Sequence, residues 1–284
     1  MSAKHRIAWI GIVASTLLGC APSTKTAPAS GDAPTATAAA NATNDSLVQF
    51  SLLSVLAADD YAGSATLHTV LANGDFGIGT FDHLDGEMIV LDGKVYQALA
   101  DGTVRPADLD GTTPFAAVTF FQEDGHIDNL SAATLDNLNE QLDAKLPRRN
   151  SPYAIRITGD FAALTLRSVA AQTPPYRPLV EVVKQQTTWQ HQNQHGTLVG
   201  LRCPAWMGTL NVSGYHWHFL SDDHKVGGHV LACEFPDAAV SFDECDTLVI
   251  RIPQSKEFDE FDARDVTEQD VDKIERLRAP VKQL

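Results

Sequence analysis

The stretch Gly214-Tyr-His-Trp-His-Phe-Leu-Ser-Asp-Asp-His-Lys-Val-Gly-Gly-His-Val narrows the possible folds more than any other part of this chain. Tyr215 to Leu220 is aromatic and β-favouring, so it reads as a strand. Side chains two apart on a strand point the same way. His216 and His218 therefore share one face, and Tyr215, Trp217 and Phe219 share the other. A polar turn ends at Gly227-Gly228, and the chain resumes as His229-Val-Leu-Ala-Cys-Glu-Phe. Pairing of the two segments brings His229 beside the first two histidines. Three imidazoles converging on one point hold a catalytic zinc ion and leave a position open for water or substrate. A lone strand histidine is more often structural, and His-x-His pairs arise by chance, so the third histidine carries this reading. His224 competes as a third ligand, but its place among Asp222, Asp223 and Lys225 favours a solvated turn tip.

The first 45 residues stand apart from any fold. Lys4 and Arg6 precede an apolar run from Ile7 to Leu18, too short to span a bilayer comfortably. The run ends Leu17-Leu18-Gly19-Cys20, similar to a bacterial lipobox in which Cys20 takes lipid and becomes the new N-terminus. Ordinary secretion and a retained N-terminal helix are the rival readings. Residues 21–45 are mostly Ala, Thr, Pro and Ser, with almost nothing to bury, and read as a disordered tether. Random-coil scaling gives it a reach of roughly 25–30 Å. The expected division is therefore 1–19 as lipoprotein signal peptide and 20–45 as linker, making the protein exported and membrane-anchored, periplasmic or on the cell surface. A net charge of -15 disfavours nucleic acid or an anionic membrane surface as a partner. Of the cysteines, Cys203, Cys233 and Cys245 remain if Cys20 carries lipid. An odd count cannot pair fully within one chain. One disulfide, or three buried thiols, both stay open.

From Leu47 onward the pattern alternates short strands with a few helices. Leu47 to Ser51 reads as a strand, followed by helical spacing at Leu52, Leu53 and Leu56. Ser64 is read as the cap of a helix through Leu67, Val70 and Leu71 that stops at Asn73-Gly74. Phe76 to Ala98 reads as short β segments, with tight hairpin turns at Asp85-Gly86 and Asp92-Gly93. Pro114 to Phe121 is a further strand and Ser131 to Leu146 a helix. Tyr153 to Ala170 reads as two strands broken at Gly159-Asp160, and Pro178 to Thr188 as a helix. The chain then stays strand-rich to Ile252, and Thr267 caps a last amphipathic helix through Val271, Ile274 and Leu277. The fold class is α+β, with mixed or antiparallel sheets and a few helices.

These segments carry a resemblance. Asn73-Gly-Asp-Phe-Gly-Ile-Gly-Thr-Phe-Asp-His-Leu-Asp-Gly-Glu87 is similar to a long block of the acetolactate decarboxylase family. Leu91-Asp-Gly-Lys-Val-Tyr-Gln97, Thr113-Pro-Phe115, Tyr153-Ala-Ile, Arg167-Ser-Val, Pro175-Tyr-Arg-Pro-Leu and Gly196-Thr-Leu-Val-Gly follow in the family's order, and the histidine segments close it. The resemblance covers residues 47–284. It implies two β-sheet subdomains, 46–165 and a zinc-binding 166–284, with the zinc site in the cleft on the C-terminal sheet, and a homodimer. It implies conversion of (S)-2-acetolactate to (R)-acetoin and carbon dioxide. His216, His218 and His229 match the zinc ligands, Glu87 an active-site glutamate, Arg167 an arginine near the substrate and Thr80 a threonine lining the pocket. The family also brings in a glutamate from its C-terminal tail; Glu275 is the candidate here, with Glu268 and Glu260 as competitors.

The chemistry suits those residue types. Loss of the carboxylate leaves an electron pair that the neighbouring ketone can accept, and a Lewis-acidic cation there removes the need for a thiamine or pyridoxal sink. Without that context, Arg167 reads as a surface ion pair and Glu87 as an exposed strand residue. Two rival functions stay open: another zinc enzyme, such as a hydrolase, and a non-catalytic metal-binding lipoprotein.

Overall fold

The computed structural model describes residues 45–262 and 266–276. The expected signal peptide, Cys20, the tether as far as residue 44, Leu277 and the side chain of Glu275 lie outside the described residues. In chain order the elements are β1 (Ser46–Phe50), α1 (Leu53–Ala58), β2 (Ala65–Thr66), α2 (Leu67–Leu71), β3 (Phe76–Thr80), β4 (Glu87–Leu91), β5 (Lys94–Ala98), β6 (Val104–Pro106), β7 (Thr112–Thr113) and β8 (Ala116–Thr119). There follow β9 (Gly125–Ala132), α3 (Leu135–Lys145), β10 (Tyr153–Ser168), α4 (Leu179–Val182), β11 (Thr187–Cys203), β12 (Gly214–Ser221), β13 (Gly227–Glu244), β14 (Thr247–Arg251), α5 (Lys256–Glu260) and α6 (Glu268–Arg276). This is an α+β fold.

Two sheets dominate it. The first runs β14-β1-β8-β3-β4-β5-β6, and the second β10-β11-β12-β13-β9. In the second sheet β10 also pairs with β13, so β10, β11, β12 and β13 close into a ring. The last seam of that ring is short: His218 pairs with His229, Phe219 with Gly228 and Leu220 with Gly227. The halves do not follow the split at 165/166, because β10 runs across it and β14 returns to pair parallel with β1.

Alternation along the strands sorts side chains into layers. Trp217 and Phe219 of β12 join Ile155, Leu166, Leu198 and Val230 in the ring's interior. Leu220 instead joins Ile78, Ile89, Ala154 and Leu201 between the two sheets. Met88 and Val90 point to the far face of the first sheet, against Leu67 and Val70 of α2. A fully buried side chain of this size contributes about 1.5–3 kcal/mol. The parity that puts Leu220 between the sheets puts His218 and His216 there too, and that of Ile78 and Ile89 does the same for Thr80 and Glu87.

Several local expectations are corrected. Asp92-Gly93 is a two-residue hairpin with both φ positive, 50° and 71°. Asp85-Gly86 is not: Asp85 has φ -74°, and β3 and β4 are joined by a longer loop containing a 3-10 turn at Asp82–Leu84. That loop is shaped by bonds to other segments rather than by its own turn residues. Gly159 does not break a strand, since β10 is continuous over 16 residues. Gly159 is there for close approach: a Cβ would stand 3.0 Å from the Ala238 Cβ and 3.0 Å from the Asp237 carbonyl. Thr66, not Ser64, caps α2, accepting a bond from the Thr69 amide. Ser131 belongs to β9, unforeseen, and α3 begins after Thr134. The helix expected over 178–188 shrinks to α4 and a 3-10 turn, because Thr187 and Thr188 pair with Ser168 and Arg167 of β10. Thr267 and Asp270 do form the reciprocal cap of α6. Cys203, Cys233 and Cys245 are buried free thiols.

Candidate metal centre and active site

The short seam that closes the ring is where the histidines meet. His216 and His218 come from β12 and His229 from β13, and all are buried, at 8%, 0% and 3% exposure. One ring nitrogen from each lies within 4.8 Å of the others. His216 Nε2 and His229 Nδ1 are 3.1 Å apart. Two nitrogens bound tetrahedrally to one zinc ion stand about 3.3 Å apart, so the spacing is that of a ligand set.

The protonation states agree with this. Burial, with Arg167 second, pushes the His216 ring down to about 3. Burial, then the neighbouring His216, holds His218 well below the usual histidine range, against the opposing Met88 carbonyl. Both rings are neutral near pH 7, as a metal ligand must be. His218 Nδ1 donates to the Met88 carbonyl at 2.8 Å, which leaves the lone pair on Nε2. That Nε2 is buried and has no hydrogen-bond partner among the described residues. A buried imidazole lone pair aimed at two other imidazoles is the arrangement a cation satisfies, so these residues fit a zinc ion.

The first sheet supplies the rest. Glu87 opens β4, 6% exposed, with Oε2 3.5 Å from His218 Nε2 and Oε1 3.5 Å from Arg167 Nη1. Arg167, 5% exposed, is opposite His229 in the β10–β13 register. Thr80 is opposite Glu87, and its hydroxyl donates to the Gly86 carbonyl at 2.8 Å, fixing the backbone just ahead of the carboxylate. The structure thus gathers His216, His218, His229, Glu87, Arg167 and Thr80 between the two sheets.

His224 lies elsewhere, an exposed turn residue with φ 55° whose ring is 4.6 Å from that of Tyr96. Of the tail glutamates, Glu260 is exposed beside Lys256, and Glu268 is exposed against Gly208. On the helix bearing Glu275, Val271 and Ile274 belong to the same buried cluster as Leu84 and Val169, which are close in sequence to Glu87 and Arg167. Two site-building groups had no signal in the sequence pattern. One is the Met88 carbonyl. The other is Ser168, whose buried hydroxyl donates at 2.8 Å to the carbonyl of Ala98, the strand partner of Glu87. That bond ties the strand end bearing Arg167 to the end of β5 that pairs with Glu87.

The alpha-acetolactate decarboxylase family model matches residues 47–264. The chain belongs to the alpha-acetolactate decarboxylase family. The alpha-acetolactate decarboxylase of Methanosarcina mazei is 37% identical over 236 residues, covering 83% of this chain and 82% of that protein. That of Klebsiella aerogenes is 39% identical over 75% of this chain and 83% of its own length. Among solved structures, alpha-acetolactate decarboxylase from Bacillus subtilis strain 168 superposes with a TM-score of 0.77 at 35% identity, over 81% of this chain and 98% of that one. The six gathered side chains lie within the matched span, whereas α6 lies beyond it.

Proposed function

We propose that this chain decarboxylates (S)-2-acetolactate to (R)-acetoin and carbon dioxide, with a zinc ion held by His216, His218 and His229. The observation that carries the reading is the buried meeting of three imidazoles with the Glu87–Arg167 pair, in a member of the alpha-acetolactate decarboxylase family. When bound, the zinc supplies Lewis-acid stabilisation of charge developing on the ketone oxygen.

The side chains do the remainder. Arg167 binds the substrate carboxylate through charge-assisted hydrogen bonds and turns the breaking carbon–carbon bond out of the carbonyl plane. That bond breaks, its electron pair passes to the neighbouring ketone as an enediolate, and carbon dioxide leaves. One proton must then reach the carbon that lost the carboxylate. Glu87, fixed on one side of the site, takes up one proton per turnover and delivers it on a single face, returning to the carboxylate, which is what a single enantiomer of acetoin requires. Thr80 keeps the Gly86–Glu87 backbone in place. Glu275 is the proposed tail carboxylate. Closure between the sheets excludes water and strengthens each of these electrostatic contacts.

The proposal extends to location and assembly. Lys4, Arg6, the Ile7–Leu18 run and Leu17-Leu18-Gly19-Cys20 support export with lipid at Cys20 and a tether behind it. The first sheet ends in β14 and β6, and open edges of this kind support a homodimer. The test of function is acetoin formation from racemic acetolactate, with and without chelator, beside a panel of esters. Acetoin that stops on chelation supports the reading. Ester hydrolysis alone indicates a zinc hydrolase, and bound zinc without turnover a metal-binding lipoprotein.

A further inference from the structure

The loop between Thr80 and Glu87 holds two consecutive non-glycine residues in left-handed backbone, His83 at φ 61° and Leu84 at φ 60°. Such backbone persists only where the surroundings over-determine it. Around His83 they do. Its amide donates to the Tyr61 carbonyl at 2.8 Å, and its carbonyl accepts from the Gln172 amide at 2.7 Å. Its Nε2 lies 3.4 Å from an Asp82 carboxylate oxygen, while the other Asp82 oxygen accepts from the Gly63 amide at 2.7 Å. Nε2–H turned to that carboxylate leaves Nδ1 as acceptor for the Tyr176 hydroxyl. Tyr176 in turn lies against the buried ring of Tyr61, 5.0 Å between centroids, and the Tyr61 hydroxyl donates to the Arg177 carbonyl at 2.6 Å.

One residue therefore joins three segments: the turn over residues 59–63, the loop 81–86 and the stretch 170–177. The second runs directly into Glu87. The third begins three residues after Arg167. Beneath them Leu84 and Val169 share one buried cluster. We infer that His83 and Tyr176 form a clasp that positions Glu87 against Arg167 for decarboxylation. They are positioning residues: neither is among the side chains gathered between the sheets. The inference rests on the proposed function for its kinetic consequence, but the clasp itself can be read without substrate.

Three variants separate the parts. Tyr176→Phe removes one hydroxyl and keeps the ring on Tyr61. His83→Gly keeps the left-handed backbone and removes the imidazole. His83→Asn accepts that backbone and returns a short polar side chain. With zinc content at the wild-type level, Tyr176→Phe and His83→Gly should lower kcat about 3- to 10-fold, the size of one partly exposed hydrogen bond, with KM moved less than about twofold. His83→Asn should restore most of the kcat that His83→Gly loses. Unchanged kcat in the first two variants, with only the melting temperature lowered, would show a merely structural contact and overturn the inference. A denaturation cycle crossing Tyr176→Phe with Glu87→Gln reads the coupling directly. Positioning makes the two losses non-additive; additive losses overturn the clasp whether or not acetolactate is turned over. A wild-type chain that forms no acetoin but shows the coupling would fail the functional reading and leave the clasp standing.

Discussion

Replacing Glu87 by glutamine keeps the shape of the side chain and removes its charge, in a place where that charge has two neighbours. One carboxylate oxygen is 3.5 Å from Arg167 Nη1 and the other 3.5 Å from His218 Nε2, with the Glu87 side chain 8% exposed. At an effective dielectric of about 20, opposite charges at that distance attract by about 5 kcal/mol. Breaking a buried pair from one side costs about 3–5 kcal/mol, because the remaining charge stays out of water. For a domain of this size that lowers the melting temperature by roughly 10 °C. A positioned carboxyl that moves a proton contributes about 10²–10⁴ in rate. Glu87→Gln should therefore retain zinc, melt lower and turn over acetolactate at least about 100-fold more slowly. Arg167→Met in the same chain should recover part of the stability, since no buried charge of that pair remains, and none of the activity. The assay is steady-state acetoin formation with metal content measured on the same sample. Turnover within threefold of wild type, with zinc bound, would make Glu87 a structural residue and remove it from the mechanism.

Ser168→Ala should cost about 1–3 kcal/mol by leaving the buried Ala98 carbonyl without its donor, and should lower kcat alongside, as read by thermal melts and acetoin assay. Asp243 is fully buried, and burial first, then Asp124, Asp45 and Asp75, lifts its carboxyl from 3.8 to about 7, against the Gln122 amide. A raised carboxyl stabilises the fold below its unfolded value and loses that contribution as pH climbs through 4 to 7, by up to about 4 kcal/mol. Asp243→Asn should thus melt higher than wild type at pH 8, with the gap closing toward pH 4; an equal gap at both pH values would refute the assignment.

How far the sequence led depended on whether a feature was local. His216, His218 and His229 were legible because strand parity and the Gly227-Gly228 turn are properties of one short stretch. Asp92-Gly93 was legible for the same reason. Glu87, Arg167 and Thr80 have no such pattern and were reached only through family likeness; the structure brings them to the histidines. Asp85-Gly86 resembles a tight turn but is overridden by the bonds that His83 makes, its amide donating to the Tyr61 carbonyl and its carbonyl accepting from the Gln172 amide. Gly159 resembles a break because glycine marks both turns and close strand contacts, and only the neighbouring Ala238 tells them apart. The Ser168–Ala98 bond, the Met88 carbonyl and the return of β14 to β1 link residues far apart in the chain, and no periodicity encodes them.

Anomalous diffraction from crystals of active protein, recorded on both sides of the zinc absorption edge, bears most directly on the centre of this account. The expected result is one zinc peak about 2.0–2.1 Å from a ring nitrogen of each of His216, His218 and His229, with Glu87 and Arg167 beside it. An active crystal with no peak there, or with zinc held by other residues, would contradict it.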